Sequence, residues 1–169
     1  MATPNSNRTR PTSDRIRESL FSILGAQVTH AKILDLFAGT GALGLEALSR
    51  DAAHCCFVEK DKVALRALRK NLELVPNASF TLYSNEAVKT LKILSRESLS
   101  FDIIFVDPPY EGEQATQVSL WLKENPLLNP EGILIYEHSS KKTVENQCFG
   151  LEKKDSRIFG DTALSFFMR

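Results

Sequence analysis

The sequence predicts an α/β fold with a doubly wound, mostly parallel sheet, and two observations support this prediction. From Lys32 onward, short apolar runs alternate with amphipathic segments of helical periodicity. Most of the runs end at glycine, an acidic residue or proline, and such residues commonly mark the ends of strands. Helices that connect parallel strands cover both faces of a sheet, and the ligand then lies outside the carboxyl ends of the strands.

The individual elements follow from the same patterns. Polar residues 1–10 predict a tail, and residues 11–25 predict a helix. The apolar positions of this helix are Ile16, Leu20, Ile23 and Leu24. Further helices are predicted at residues 42–50, 61–74, 87–94 and 113–123, and strands at residues 33–37, 55–58, 80–83, 101–106, 133–137, 151–158 and 163–168. No long helix separates the last two strands, so we expect a seven-stranded sheet that closes with an antiparallel C-terminal strand.

The composition predicts a cytoplasmic protein of one domain, spanning residues 1–169. Hydrophobic residues make up 43% and charged residues 25% of the chain, as in globular proteins. No apolar run approaches the roughly 18 residues of a membrane span, and the N-terminus lacks the apolar core of a signal peptide. The three cysteines lack the spacing of a zinc site, so we expect free thiols and no metal. The formal net charge of zero argues against a purely electrostatic binder of nucleic acids, but it neither supports nor excludes a nucleic-acid substrate.

A glycine-rich loop lies between the first predicted strand and the helix that follows it. The segment Gly39–Gly44 (GTGALG) matches the G-x-G-x-x-G pattern. Its glycines allow a sharp turn and a close approach of a ligand to the backbone. Glu59 ends the next strand, where its carboxylate can accept hydrogen bonds from ribose hydroxyls. Together these features predict a site for a cofactor that contains adenosine.

Acidic residues surround this loop and favour a cationic cofactor. The predicted carboxyl ends of the strands carry Asp35, Glu59, Glu86, Asp107 and Glu137. A carboxylate at Asp35 would repel the pyrophosphate of a dinucleotide but would suit a positive charge. S-adenosylmethionine has no phosphate and carries a sulfonium and an ammonium group. The charge pattern therefore favours S-adenosylmethionine over a nicotinamide dinucleotide.

A second motif, Asp107–Tyr110 (DPPY), ends the fourth predicted strand. Pro108 and Pro109 make a stiff turn that offers no N–H donors. With an ionised Asp107, the turn presents only hydrogen-bond acceptors, which suits an amino group that brings two N–H donors. Tyr110 can stack on a base, a contact worth on the order of 1–3 kcal/mol. The motif predicts methyl transfer to an exocyclic amino group, with Asp107, Pro108, Pro109 and Tyr110 as the catalytic turn.

At this point the sequence resembles the bacterial 16S ribosomal RNA guanine-N2 methyltransferases. Arg10–Phe21 (RPTSDRIRESLF) is similar to the opening helix of that family, and Asp35–Arg50 (DLFAGTGALGLEALSR) to its cofactor loop. Phe57–Asp61 (FVEKD) resembles the ribose-binding turn, Asp107–Tyr110 the catalytic turn, and Gly160–Leu164 (GDTAL) the C-terminal signature. The opening helix and the C-terminal signature narrow the match, because many amino methyltransferases share the cofactor loop and the catalytic turn.

The resemblance implies a Rossmann-like class I methyltransferase fold, S-adenosylmethionine as cofactor, and 16S RNA or the small ribosomal subunit as partner of a monomer. It also implies a set of cofactor-binding residues. They are Asp35, Phe37, Ala38, Gly39, Thr40, Gly41, Glu59, Lys60, Glu86 and Ala87. The family more often has Asp-Ala at the adenine than the Glu86-Ala87 of this chain, a change that keeps an acceptor. Family members carry a basic, glycine-rich stretch before the proline that Pro4 resembles, so we expect RNA docking to differ in detail here.

Basic residues near the N-terminus are candidates for contacts with RNA phosphates. They are Arg8, Arg10, Arg15 and Arg17, with Thr12 among them. A solvated helix face is the simpler alternative, since charge runs usually have that role. Two other functions also remain open for the whole chain. One is a DNA adenine-N6 methyltransferase that uses the same acceptor turn, and the other is a non-catalytic RNA-binding or assembly module.

Overall fold

The computed structural model describes residues 10–109 and 113–169, with side chains from residue 13 onward. Helices and strands alternate along most of the chain, as predicted. The helices are α1 (Arg10–Leu24), α2 (Ala42–Ser49), α3 (Lys62–Leu72), α4 (Ala87–Arg96) and α5 (Glu113–Glu124), with a 3-10 helix at Gly25–Val28. The strands are β1 (Lys32–Asp35), β2 (His54–Val58), β3 (Phe80–Tyr83), β4 (Phe101–Val106), β5 (Leu128–Ser139), β6 (Gln147–Cys148), β7 (Leu151–Phe159) and β8 (Thr162–Met168).

All the strands belong to one sheet, in the order β3-β2-β1-β4-β5-β8-β7-β6. The first five strands pair in parallel, and β8, β7 and β6 add antiparallel pairs. The doubly wound, mostly parallel sheet is therefore confirmed. The described residues form eight strands rather than the seven expected, because Gln147–Cys148 pairs with β7. A strand of two residues has no alternation of side chains that a sequence pattern could reveal.

Alternate residues of the central strands point to opposite faces of the sheet, and helices bury both faces. Ile33 and Phe105 join a cluster with apolar side chains of α1, α2 and α3. Leu34 and Ile104 join a second cluster with side chains of α4 and α5. The strand order reverses direction between β1 and β4, which is where ligands bind in doubly wound sheets.

The first helix packs with a slightly different face from the one expected. Ile16, Leu20 and Leu24 are buried as predicted, but Ile23 is 39% exposed. Phe21 is fully buried in its place, with the Arg50 guanidinium 5.2 Å from the centre of its ring. Because the larger aromatic side chain of Phe21 is buried, the buried face of α1 is centred closer to Phe21, and Ile23 lies at its edge.

The cysteines are free thiols, as the sequence predicts. Cys55 and Cys56 are buried in β2, and burial raises the pKa of both, to about 11 for Cys56. Cys148 is half-buried and lies 3.2 Å from the Ser119 hydroxyl. The two buried thiols are therefore protonated and unreactive at neutral pH.

Gly44 and Gly39 of the GTGALG segment are needed for different reasons. Gly44 lacks space for a side chain, whereas Gly39 has a positive φ. A Cβ atom at Gly44 would lie 2.2 Å from the Phe57 ring and 2.7 Å from the Cys55 sulfur. We expect Gly44→Ala to lower the free energy of unfolding by about 1–3 kcal/mol, because the helix must move off the sheet. At Gly39 a Cβ would meet nothing within 4 Å, so Gly39→Ala adds only the backbone cost of its φ of +57°, about 1–2 kcal/mol.

Urea unfolding of both variants measures this difference. Cofactor affinity provides the second readout, because the open side of Gly39 is where a ligand can approach the backbone. We expect Gly39→Ala to weaken cofactor binding more than Gly44→Ala does in the fraction of protein that remains folded. A Gly44→Ala protein as stable as the wild type would show that α2 is not pressed against β2.

Candidate active site

The candidate site lies at the carboxyl ends of the neighbouring strands β1, β4 and β5. β1 ends at Asp35 and leads into the glycine loop, while β4 ends at Val106 and leads into the Asp107-Pro108-Pro109 turn. The two strands pair in parallel, with Asp35 opposite Phe105. The fold thus brings the two sequence motifs together, one on each side of the point where the strand order reverses.

The glycine loop is held in a fixed conformation by contacts to β2 and α3. Gly39 and Gly41 have φ values of +57° and +85°, which side chains of other residues rarely allow. The Ala38 N–H donates to the carbonyl of Val58 on β2, at 2.9 Å. From α3, the fully buried Asn71 donates its side-chain amide to the Thr40 carbonyl, at 2.9 Å. The loop is therefore shaped before any ligand binds.

Glu59 anchors this loop as well as facing the site. Its Oε2 accepts the Gly39 N–H, and its Oε1 accepts the N–H groups of Lys60 and Asp61, all at 2.8 Å. A carboxylate has about four acceptor positions. Three are occupied, so Glu59 has room for one ribose hydroxyl on Oε2 and not for two additional donors.

Asp35 lies directly beneath the loop and is almost fully buried, with 2% of its surface exposed. Its Oδ2 accepts the Gly44 N–H at 3.2 Å. Burial raises the pKa of Asp35 to about 7; the hydrogen bond from Gly44 opposes this rise, and the charge of Glu59 adds to it.

Asp107 shares its surroundings with two other acids. Burial raises its pKa well above the usual range, and the charges of Glu137 and Asp35 raise it further. The pKa of Asp107 is therefore higher than the ordinary carboxyl value on which the expectation of an ionised side chain was based. Neither the buried environment nor the neighbouring carboxylates can be read from the local motif, because both come from β1 and β5.

A cleft of about 160 Å³ opens beside this turn. The lining residues are Asp107, Pro108, Pro109, Tyr136, Glu137, His138, Ser139 and Thr162. Of these residues, the sequence predicted only the first three as part of the site. Two features of the sequence were consistent with a contribution from β5 and β8: Glu137 is one of the acids at the predicted strand ends, and Thr162 belongs to the GDTAL segment. Tyr110 lies outside the described residues.

The remaining predicted cofactor residues lie around the loop and at the start of α4. Phe37 and Ala87 are partly buried against the second cluster, while Ala38 is buried in the first. Lys60 is exposed, and its backbone N–H contacts Glu59. Glu86 precedes α4 without capping it, and its carboxylate pairs with Lys89 at 3.3 Å. The structure thus does not group the Glu86 side chain with the other acids.

The N-terminal basic residues are only partly covered by the structure. Arg8 and the side chains of Arg10 and Thr12 lie outside the described part. Arg15 is exposed and forms no ion pair with the residues described. The neighbouring Arg17 pairs with Asp14 at 3.2 Å and with Glu46 of α2 at 3.6 Å, so it joins two helices instead of facing a partner.

Within residues 10–109 and 113–169, no group of three or more metal-ligating side chains occurs. In the same part of the chain, no helix is both long and apolar enough to cross a membrane.

Comparisons with known proteins place this site in a family. The family described as conserved hypothetical protein 95 matches residues 1–168. Ribosomal RNA small subunit methyltransferase D of Escherichia coli strain K12 is 31% identical over 166 residues, which cover 98% of this chain and 82% of the relative. The solved structure of the Escherichia coli protein yhhF superposes with a TM-score of 0.82 and 31% identity, over 100% of this chain and 90% of that chain. A SAM-dependent methyltransferase from Agrobacterium tumefaciens has a TM-score of 0.63 and 25% identity, over 79% of this chain and 46% of that chain.

Proposed function

We propose a function from the premise that the chain belongs to the conserved hypothetical protein 95 family, the family of the ribosomal RNA small subunit methyltransferase D proteins. The chain transfers a methyl group from S-adenosylmethionine to 16S RNA of the small ribosomal subunit. The acceptor is the exocyclic N2 amino group of one guanine. The observation that carries this proposal is the apposition of the glycine loop and the Asp107 turn on the paired strands β1 and β4.

The residues of the site fit S-adenosylmethionine. The open side of Gly39 leaves room for a ligand against the backbone. Burial raises the pKa of two acids, Asp35 and Asp107, and neither forms an ion pair with a cation of the described residues. A cationic ligand would favour the ionised form of both. Glu59 would hold a ribose hydroxyl, and Glu86-Ala87 would border the adenine. When bound, the cofactor supplies a methyl group made electrophilic by its positive sulfonium.

Asp107 would act on the acceptor amine. The Asp107-Pro108-Pro109 turn has no N–H on its two prolines, so it orients an amino group through acceptors only. Accepting an N–H shifts electron density toward the nitrogen, and an aromatic amine is a weak nucleophile without such help. When the nitrogen gains the methyl group it must lose a proton, and the raised pKa of Asp107 makes its carboxylate a competent proton acceptor.

Methyl transfer to three macromolecules tests this function. Labelled S-adenosylmethionine is incubated with the protein and with unmodified 16S RNA, small subunits that lack the mark, or duplex DNA. We expect label in the RNA or in the subunits and none in the DNA. Label in DNA would favour an adenine-N6 methyltransferase, and cofactor binding without transfer to any of the three would favour a non-catalytic binding module.

A further inference from the structure

Glu137 lies beside Asp107 on the side of the site that faces away from the glycine loop. β4 and β5 are parallel, with Phe105 opposite Ile135 and Val106 opposite Tyr136, so the register brings Asp107 next to Glu137. In neighbouring parallel strands, residues at the same register point to the same face. β4 lies between β1, which leads into the glycine loop, and β5. A base bound at Asp107 with its amino group toward the cofactor would therefore lie over the end of β5.

Hydrogen-bond accounting shows that this pair of carboxyl groups lacks donors. Within the described residues, no N–H or O–H group donates to Asp107 or to Glu137. Both are partly buried, and burial raises the pKa of Glu137 as well. No fully buried side-chain oxygen of the described residues lacks a hydrogen-bond partner, so the free oxygens of these two groups are accessible from the cleft. The two side chains line the same cleft, so a ligand there can supply the missing donors.

The chemistry of the two acceptors matches one base edge. Guanine carries adjacent donors, N1–H and the N2 amino group, on its Watson–Crick edge. Adenine has an acceptor at N1, and two carboxyl oxygens would repel it. Enzymes that modify a base read the flipped base by hydrogen bonds to this edge, and repulsion of the wrong base contributes as much to selectivity as attraction of the right one.

We infer that Glu137 selects guanine, by accepting the N1–H of the target base while Asp107 accepts an N–H of its N2 amino group. This inference rests on the proposed function and adds a specificity-determining residue to it. The charge of Glu137 disfavours ionisation of Asp107, and the two N–H donors of a guanine edge would stabilise the carboxylate forms of both side chains.

The test compares the wild type, Glu137→Gln and Glu131→Gln on two RNAs. Glu131 is an exposed residue near the other end of β5 and serves as the matched control. One RNA carries guanine and the other 2,6-diaminopurine at the position that the wild type methylates; the RNAs are reconstituted into subunits if naked RNA is not a substrate. 2,6-Diaminopurine keeps the N2 amino group but has an acceptor at N1. Cofactor affinity is measured by calorimetry for each protein.

We expect the wild type and Glu131→Gln to prefer guanine by about 100-fold or more in kcat/KM, since the analogue leaves an acceptor unpaired. Glu137→Gln should lose about 10- to 100-fold on guanine. Its preference should shrink to below about 10-fold, because the glutamine amide can donate to N1. Cofactor affinity should stay within about twofold of the wild type, because Glu137 lies away from the loop.

Three outcomes overturn the inference. Wild-type rates and preference in Glu137→Gln would show that the residue does not contact the base. An equal loss on both RNAs, with the preference intact, would assign Glu137 a purely structural role. If the wild type methylated neither RNA, the proposed function itself would be contradicted. This result is distinguishable from the first two, in which the wild type is active and only the inference about Glu137 fails.

Discussion

Asp107→Asn should lower kcat for methyl transfer by about 100- to 1000-fold, the range found when one charge-stabilising group is removed from an active site. The asparagine amide keeps the size of the side chain but introduces N–H donors into a turn that otherwise presents acceptors. It also removes the group that takes up the proton from the acceptor amine. The free energy of unfolding should not decrease, because a neutral side chain replaces a partly buried acid whose pKa is raised by burial.

Single-turnover kinetics with saturating cofactor and small subunits isolates this effect from binding. Asp51→Asn is the matched control, since Asp51 is exposed in the loop after α2 and asparagine tolerates its φ of +64°. We expect the control to react at the wild-type rate. If Asp107→Asn retained more than about a tenth of the wild-type rate, the side chain could not have the role assigned to it.

Asp35→Asn should make the protein without ligand more stable and its cofactor binding weaker. The pKa of Asp35 is about 7 in the folded protein and 3.8 in its ordinary state, so the folded state holds the proton more tightly. The free energy of unfolding therefore falls as pH rises from 3.8 toward 7 and is lowest above 7. At pH 8 the ionised side chain costs on the order of 4 kcal/mol, which the neutral asparagine avoids while keeping an acceptor for the Gly44 N–H.

Thermal unfolding at pH 6 and pH 8, with and without S-adenosylmethionine, checks both parts of this prediction. The wild type should lose several degrees of Tm between the two pH values, and Asp35→Asn should lose less. A cationic ligand favours the ionised form, so wild-type affinity should rise across this interval, and at pH 8 the variant should bind about tenfold more weakly. Equal affinity of the two proteins at pH 8 would show that the charge of Asp35 does not act on the cofactor.

Local motifs were sufficient to predict most of the fold and the centre of the site. Among the described residues, strand–helix alternation predicted every α-helix and seven of the eight strands, because the spacing of apolar residues and the turn residues are properties of short segments. The missed strand Gln147–Cys148 is too short for a pattern. The first five residues of β5 were missed because Pro130 and Gly132 are typical of turns, and the β4–β5 register does shift there, between Phe101 and Ile103.

The properties of the site that escaped prediction all depend on residues distant in sequence. Asp107 was expected to be ionised, but its pKa is raised by burial and by Glu137 and Asp35, on the strands to either side. Glu59 was expected to serve ribose, yet three backbone N–H groups already occupy most of its acceptor positions. Arg17 was one of a basic cluster in the sequence, and its partner Glu46 becomes apparent only when α1 packs on α2.

The most direct test of the central claim is to identify the nucleoside that the protein produces. Small subunits lacking the mark are incubated with S-adenosylmethionine and either the wild type or Asp107→Asn, and the RNA is digested and analysed by mass spectrometry. We predict N2-methylguanosine with the wild type, and an initial rate of its formation at least about 100-fold lower with Asp107→Asn. N6-methyladenosine, or N2-methylguanosine formed equally fast by both proteins, would contradict it.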